Sequence, residues 1–313
     1  MAAPKLDETA SGVFAIAATP FTEDGALDLG SAAHMVEFYL DCGVSGITIL
    51  GVMGEAPKLS REDSIAVARQ VIKAANGHVP IVVGVSAPGL DPMRALTHEV
   101  MDMGAAGVMV APAAGLNTDE KIEGYFHAVC AALGDTPIAL QDYPPSSGVN
   151  FSTALLNRLF NDLPTLKVLK HEDWPGLRKL TQFRAAETRR ASVLVGNGGL
   201  FLPLELARGA DGAMTGFAYP EMLVQVCEMF AAGDTDGAED LFDASLPLVR
   251  YEQQVGIGLA IRKETLRRRG AIGNAATRAP GPKLDTNDHA ELDRLITRLE
   301  RRLNALEIDL KTY

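Results

Sequence analysis

Met103-Gly104-Ala105-Ala106-Gly107-Val108-Met109-Val110-Ala111 closes one element and opens the next. Gly104 stops a helical pattern that begins at Met93, and the chain from Gly107 to Ala111 is then apolar throughout. An uninterrupted apolar run, rather than an alternating one, is the pattern of a parallel strand covered on both faces. The same stop and run recur at Cys42-Gly43-Val44-Ser45-Gly46 and at Arg208-Gly209-Ala210-Asp211-Gly212. Extending the reading gives strands at Val13 to Ala18, Gly46 to Leu50, Pro80 to Val85, Gly107 to Ala111, Pro137 to Leu140, Leu166 to Lys170, Ser192 to Val195 and Gly212 to Thr215. Helical stretches such as Glu62 to Ala75 lie between them. This rhythm predicts an α/β fold, a (β/α)8 TIM barrel over residues 1–220, with an open doubly wound sheet as the alternative. From residue 221 to 313 the strand signals stop. Patterns at Glu221 to Ala232, Asp236 to Arg250, Gly258 to Arg269 and Asp288 to Ile308 predict a C-terminal helical extension, and Gly273 to Asp285, around Pro280-Gly281-Pro282, reads as a loop.

Composition narrows the function classes. The chain has 313 residues, 47% of them hydrophobic, enough for a large core. Its 29 basic against 40 acidic residues leave a net charge of −11, a field that repels phosphate backbones and argues against a nucleic-acid partner. No apolar run approaches the ~18 residues of a membrane span, and the N-terminal Met-Ala-Ala-Pro-Lys-Leu-Asp-Glu-Thr-Ala is polar, so a cytoplasmic protein with no membrane partner is expected. Cys42, Cys130 and Cys227 have no C-x-x-C spacing and no histidine cluster, so they are read as inert, largely buried thiols rather than disulfides or zinc ligands.

In a barrel the chemistry sits at the carboxyl ends of the strands, so the residues just past each apolar run matter most. Leu166-Lys167-Val168-Leu169-Lys170-His171-Glu172-Asp173 carries a lysine there. The two-residue period puts Val168, Lys170 and Glu172 on one face, and if Val168 points inward so does Lys170. An ammonium inside the barrel loses hydration, which favours the neutral amine able to attack a ketone and form a Schiff base. A solvated or salt-bridged strand-end lysine is the competing reading. The second strand ends in Gly51-Val52-Met53-Gly54-Glu55, whose glycines permit a tight loop with backbone N–H groups converging on an anion, or merely an ordinary strand-to-helix turn.

Taken in order, Ile16-Ala17-Ala18-Thr19-Pro20-Phe21 with Asp24-Gly25, Gly51 to Glu55, Asp142-Tyr143-Pro144, Lys170 and Gly209-Ala210-Asp211-Gly212 resemble the dihydrodipicolinate synthase and N-acetylneuraminate lyase family over essentially the whole chain. The resemblance implies a (β/α)8 barrel with a helical extension, assembled as a homo-oligomer, tetramer or dimer. It implies a Schiff base on Lys170 and binding of a 2-keto-acid carboxylate by the loop from Gly51, chiefly through the amides of Val52 and Met53. The chain departs from the family's pattern in several places. Both threonines of the usual Gly-Thr-Thr-Gly-Glu loop are replaced, by Val52 and Met53. Gln141 stands where a catalytic tyrosine is usual, Ala113-Ala114 replaces a tyrosine pair, and Ser146 replaces a carboxylate-binding arginine. A proton relay of threonine and tyrosines is therefore missing, which argues against dihydrodipicolinate synthesis.

Gln141-Asp142 with Pro144 and Ser147-Gly148, Lys170-His171-Glu172, and Gly212-Ala213-Met214-Thr215-Gly216 resemble instead the 2-keto-3-deoxy-L-arabonate dehydratases of the same superfamily. On that reading Lys170 forms an imine with C2, a base removes a C3 proton, and an acid assists departure of the C4 hydroxyl. Glu172 is the candidate base or acid, with a solvated carboxylate as the alternative, and Tyr143 supplies a hydroxyl or merely packs. Gln141, Ser86, Asn197 and Thr215, at other strand ends, and Met214 are candidates for contact with the substrate. The other functional readings are an aldolase or retro-aldol lyase using pyruvate, a hydratase-aldolase for aromatic pyruvates, and a non-catalytic keto-acid binding protein. None of these readings calls for a cofactor or a metal.

Overall fold

The structure is a computed structural model that describes residues 5–308 and 310; residues 1–4, which open the polar N-terminal stretch, and 309 and 311–313, at the end of the extension, lie outside the described residues. In chain order the elements are β1 (Gly12–Ile16), α1 (Leu29–Asp41), β2 (Gly46–Ile49), α2 (Arg61–Ala75), β3 (Ile81–Gly84), α3 (Leu90–Asp102), β4 (Gly107–Val110), α4 (Asp119–Leu133), β5 (Ile138–Asp142), the single turn α5 (Pro144–Ser147), α6 (Thr153–Asp162), β6 (Leu166–His171), α7 (Gly176–Ala185), β7 (Ser192–Val195), α8 (Leu202–Leu206) and β8 (Gly212–Thr215). Four helices follow: α9 (Pro220–Ala231), α10 (Thr235–Glu252), α11 (Gly258–Arg268) and α12 (Thr286–Ala305). The eight strands are parallel and close in chain order, with β8 pairing back onto β1. The barrel is closed, so the open sheet falls away.

Local chemistry explains where the helices begin. Ser60 caps α2 by accepting from the Asp63 amide while the Asp63 carboxylate reaches back to the Ser60 amide, and Asp285 with Asp288 closes the same box on α12. Ser152 and Thr118 cap α6 and α4 in the simpler one-way fashion. Alternation along the strands then sorts the core into two layers. Phe14, Ile16, Val82, Met109, Ala139, Val168, Leu194 and Met214 fill the barrel interior, and Leu6, whose amide donates to the Ala106 carbonyl, closes its amino-terminal end. The opposite faces, among them Ile47, Val83, Val108, Leu140, Leu169 and Val193, pack against the ring of helices.

Helix α9, which the sequence reading placed in the extension, packs on β1 and α10 through an apolar face of Met222, Leu223 and Val226, where the eighth helix of the ring belongs. Helix α11 differs from the amphipathic pattern expected of it. It is buried almost throughout, and Arg262, Lys263, Glu264 and Thr265 are all inside. Buried charges in a helix need partners: Lys263 finds Glu55 after β2, Arg262 finds Glu252 of α10, and Glu264 takes Arg267 and Arg268 of its own helix. All three cysteines are free, Cys42 buried and the other two half-buried.

Candidate active site

Register sets the floor of the site. Gln141 of β5 stands beside Lys170 of β6, which stands beside Leu194 of β7, so the two polar side chains emerge together above the apolar layer of Ala139, Val168 and Leu194. A cavity of about 70 Å3 opens over them, lined by Ile16, Val52, Met53, Gln141, Tyr143, Lys170, Glu172, Asn197, Gly198, Thr215, Gly216, Gln253 and Arg262. Lys170 Nζ lies 3.0 Å from Glu172 Oε2, and Gln141 Nε2 donates to the same oxygen at 2.8 Å. All three are buried. Two donors on one oxygen fix the carboxylate directly beside the amine.

Glu172 occupies this place because β7 ends in Gly196, where any Cβ would collide with the Glu172 side chain. The next residue, Asn197, takes the left-handed conformation at φ 52° and its Nδ2 donates to the Glu172 carbonyl at 3.0 Å. Asn197 thus reaches the cavity while bracing the backbone of β6's extension. Thr215 accepts from the Gly198 amide at 2.7 Å and ties β8 to the same turn. Tyr143 is half-buried at the opposite wall, and burial, reinforced by the Glu172 charge, holds its phenol above its ordinary pKa, so it keeps its proton at neutral pH.

The loop after β2 is shaped by strain and by distant charges. Leu50 and Glu55, neither of them glycine, both sit at positive φ, 56° and 55°, and bracket the turn between them. Gly51 is buried and its carbonyl accepts from the Gly54 amide, while the Val52 and Met53 amides donate to nothing among the described residues. Glu55 points away from the cavity. Its carboxylate receives Lys263 Nζ at 2.6 Å, Lys58 Nζ at 2.8 Å and the Arg278 amide at 3.0 Å, so the loop is anchored to α11 and to the segment that follows it. Lys263 also lies over the Phe21 ring, 4.4 Å from its centroid.

On the outer side of β6 a second ionic group holds the strand's end. Lys179 of α7 bridges Asp142 and Asp173 at 2.7 Å each, and His171 Nδ1 approaches Asp142 at 3.8 Å. His171 Nε2 lies 3.0 Å from the Gly176 carbonyl, which can only accept, so that nitrogen carries a proton. Burial opposes charge on this imidazole, but Asp142, the Gly176 carbonyl and Glu205 together outweigh it and raise the His171 pKa. Lys179→Met strands the fully buried Asp142, and unpairing a buried ion costs about 3–5 kcal/mol. Chemical denaturation of the variant is expected to give a loss in that range; a loss below about 1 kcal/mol would mean that His171 alone satisfies Asp142.

Three residues expected at the site do not line the cavity: Gly51 is buried in the turn that leads to Val52 and Met53, and the other two lie elsewhere. Met214 is wholly buried in the interior layer beneath the cavity, and Ser86, exposed beyond the end of β3, accepts from the Ala111 amide at 2.8 Å to join two loops. Gln253 and Arg262 were not anticipated. The readable signal was in α11: Arg262 is four residues before the buried Leu266 and shares its face, an unusual place for a charge. Among the described residues no group of three or more His, Cys, Asp or Glu side chains converges as a metal site, and no helix is long and apolar enough to cross a membrane.

Comparison with known proteins decides the family. The dihydrodipicolinate synthetase family model matches residues 9–299, nearly the whole chain. The chain belongs to the dihydrodipicolinate synthetase family. Within it, the chain is 28% identical over 293 residues to an L-2-keto-3-deoxyarabonate dehydratase of Azospirillum brasilense, covering 92% of this chain and 94% of that one. It is 31% identical over 235 residues to a 4-hydroxy-tetrahydrodipicolinate synthase of Moorella thermoacetica, covering 74% and 79%. A crystal structure described as dihydrodipicolinate synthase from Rhodopseudomonas palustris superposes with a TM-score of 0.92 at 47% identity, covering 95% of this chain and all of that one. The dihydrodipicolinate synthetase family thus includes relatives of this chain named for two different reactions, and the cavity's own residues must decide between them.

Proposed function

We propose that the protein is a lysine Schiff-base lyase that dehydrates a 2-keto-3-deoxy sugar acid of the 2-keto-3-deoxy-L-arabonate type. The observation that carries this reading is the Glu172 carboxylate 3.0 Å from the Lys170 amine. Lys170 attacks the C2 ketone and water leaves, giving an imine whose protonated form draws electrons from C3. Glu172 removes a C3 proton, the electrons pass into the imine nitrogen, and their return expels the C4 hydroxyl as water with a proton from Tyr143 or Glu172. Tautomerisation and hydrolysis of the imine free the lysine and release 2,5-dioxopentanoate. One water is lost overall, and no external oxidant is needed, because C5 becomes an aldehyde as C4 becomes a methylene. The Val52 and Met53 amides, unpartnered beside the cavity, suit the C1 carboxylate. Assembly as a homo-oligomer, dimer or tetramer, belongs to the same proposal.

The threonine and tyrosine relay implied for the synthase has no counterpart at its usual positions here. Val52 has no hydroxyl, and the Gln141 amide is engaged with Glu172. The 47% identity to a protein described as a synthase favours a second reading, an aldolase or retro-aldol lyase, which shares the imine and breaks C3–C4 instead. The products separate them: elimination from 2-keto-3-deoxy-L-arabonate gives 2,5-dioxopentanoate, and retro-aldol cleavage gives pyruvate with glycolaldehyde. Borohydride added with pyruvate is expected to leave a covalent mass on the peptide carrying Lys170, and the sugar acid is expected to yield 2,5-dioxopentanoate. Glycolaldehyde as the product overturns the dehydratase, and a folded protein that takes no label at Lys170 overturns the Schiff base, leaving a binding protein or a very different keto acid as the account.

A further inference from the structure

The cavity has two walls of different origin. Lys170, Glu172, Gln141 and Tyr143 come from the barrel, whereas Gln253 and Arg262 come from the end of α10 and from α11. Arg262 is among the largest fully buried side chains of the molecule. Its guanidinium crosses the end of β8 at Gly216, where a Cβ would collide with Nη1, so the strand supplies bare backbone to let it through. Nε donates to Glu252 Oε2 at 3.0 Å, and Glu252 is itself fully buried. With its amide oxygen turned toward the donors, Gln253 accepts from Arg262 Nη2 at 3.2 Å and from the Gly198 amide at 3.3 Å. Arg262 Nη1 donates to nothing among the described residues, although it belongs to a lining residue of the cavity. A guanidinium nitrogen that faces the cavity without a protein acceptor is open to a ligand that supplies one.

Charge decides what that ligand group is. Arg262 has Glu252 in contact at 3.0 Å, where burial raises the carboxyl's pKa and the guanidinium opposes the rise, and Lys170 has Glu172 at 3.0 Å, so each cation of the cavity already has an acidic partner. A second carboxylate would enter unpaired and lose its hydration, whereas a hydroxyl can accept from Nη1 without a charge penalty. Building on the Schiff-base dehydratase reading, we infer that Arg262 and Gln253 form the distal subsite of the pocket and select substrates whose far end carries a hydroxyl rather than a second carboxylate. The helical extension is therefore the source of specificity, and the barrel the source of the reaction.

Three probes of the intact protein test this by borohydride trapping on Lys170: pyruvate, too short to reach the subsite; 2-keto-3-deoxy-L-arabonate, with hydroxyls at C4 and C5; and 2-oxoglutarate, of the same length with a carboxylate at C5. The parent protein is expected to trap 2-oxoglutarate at least about tenfold less efficiently than the hydroxylated acid, the range for a mismatched buried polar group. Gln253→Leu and Arg262→Lys are expected to lower kcat/KM for 2-keto-3-deoxy-L-arabonate about 10–100-fold. Pyruvate trapping should move less than about twofold on the same principle of selective loss. Arg262→Lys keeps a charge for Glu252, and Gln253→Leu, at a half-buried position, serves if the lysine variant does not fold. Equal losses on pyruvate and the sugar acid overturn the subsite, as does efficient trapping of 2-oxoglutarate that Arg262→Lys abolishes. Absence of any pyruvate label on Lys170 in the parent protein sinks the Schiff-base reading instead.

Discussion

Replacing Lys170 by methionine is expected to leave a folded barrel whose turnover of 2-keto-3-deoxy-L-arabonate falls by about 10⁴-fold or more, the scale seen when an enzyme loses its covalent nucleophile. Methionine keeps the length and apolar stem of the side chain and removes only the nitrogen that forms the imine. The surroundings sharpen the test. Glu172 keeps Gln141 as a donor when Lys170 is gone, so its carboxylate is not left wholly unpaired. Thermal denaturation of the variant separates loss of fold from loss of chemistry, and borohydride with pyruvate should give no label at any peptide. Activity within tenfold of the parent would show that another amine, or no covalent step at all, carries the reaction.

Glu172→Gln separates the two halves of the mechanism. Glutamine preserves the shape of the side chain and its packing over Gly196, but it cannot accept a proton from C3. Imine formation should survive within several-fold, while elimination and exchange of the C3 protons into deuterated solvent fall together by about 10²–10⁴-fold, the usual contribution of general acid–base catalysis. If exchange persists at the parent rate while elimination stops, Glu172 serves the departing hydroxyl and the base is a different group. If neither changes, the contact between Glu172 and Lys170 is only an ion pair that holds the lysine in place.

The fold was legible because parallel strands buried on both faces announce themselves as continuous apolar runs, three of them preceded by a glycine stop. Side-chain parity placed Lys170 on the same side as Val168, and the barrel puts both inward. Parity gives direction but not depth. Met214 points inward yet lies one layer too low, whereas the neighbouring Thr215 reaches the cavity. Ser86 is two residues past the end of β3, where the chain has already turned outward. Glu55 read as part of an anion loop, and the structure gives it a different task, holding that loop from behind. Arg262 and Gln253 were invisible to reasoning from strand ends because they arrive from helices after the last strand. Only a charge on the core face of α11 hinted at them.

The ion pair between Glu55 and Lys263 spans 208 residues of chain. At synthesis rates of ~5–20 residues per second, about 10–40 s separate the emergence of the two partners. During that interval the loop after β2 lacks the buried ammonium that fixes its turn, and Arg262, one residue earlier than Lys263, is equally missing from the pocket. A nascent chain that has already produced Lys170 therefore carries that amine before the loop after β2 is braced and before Arg262 closes the far side of the cavity. The cavity's lining is complete only near the end of translation, set by the last helices rather than by closure of the barrel.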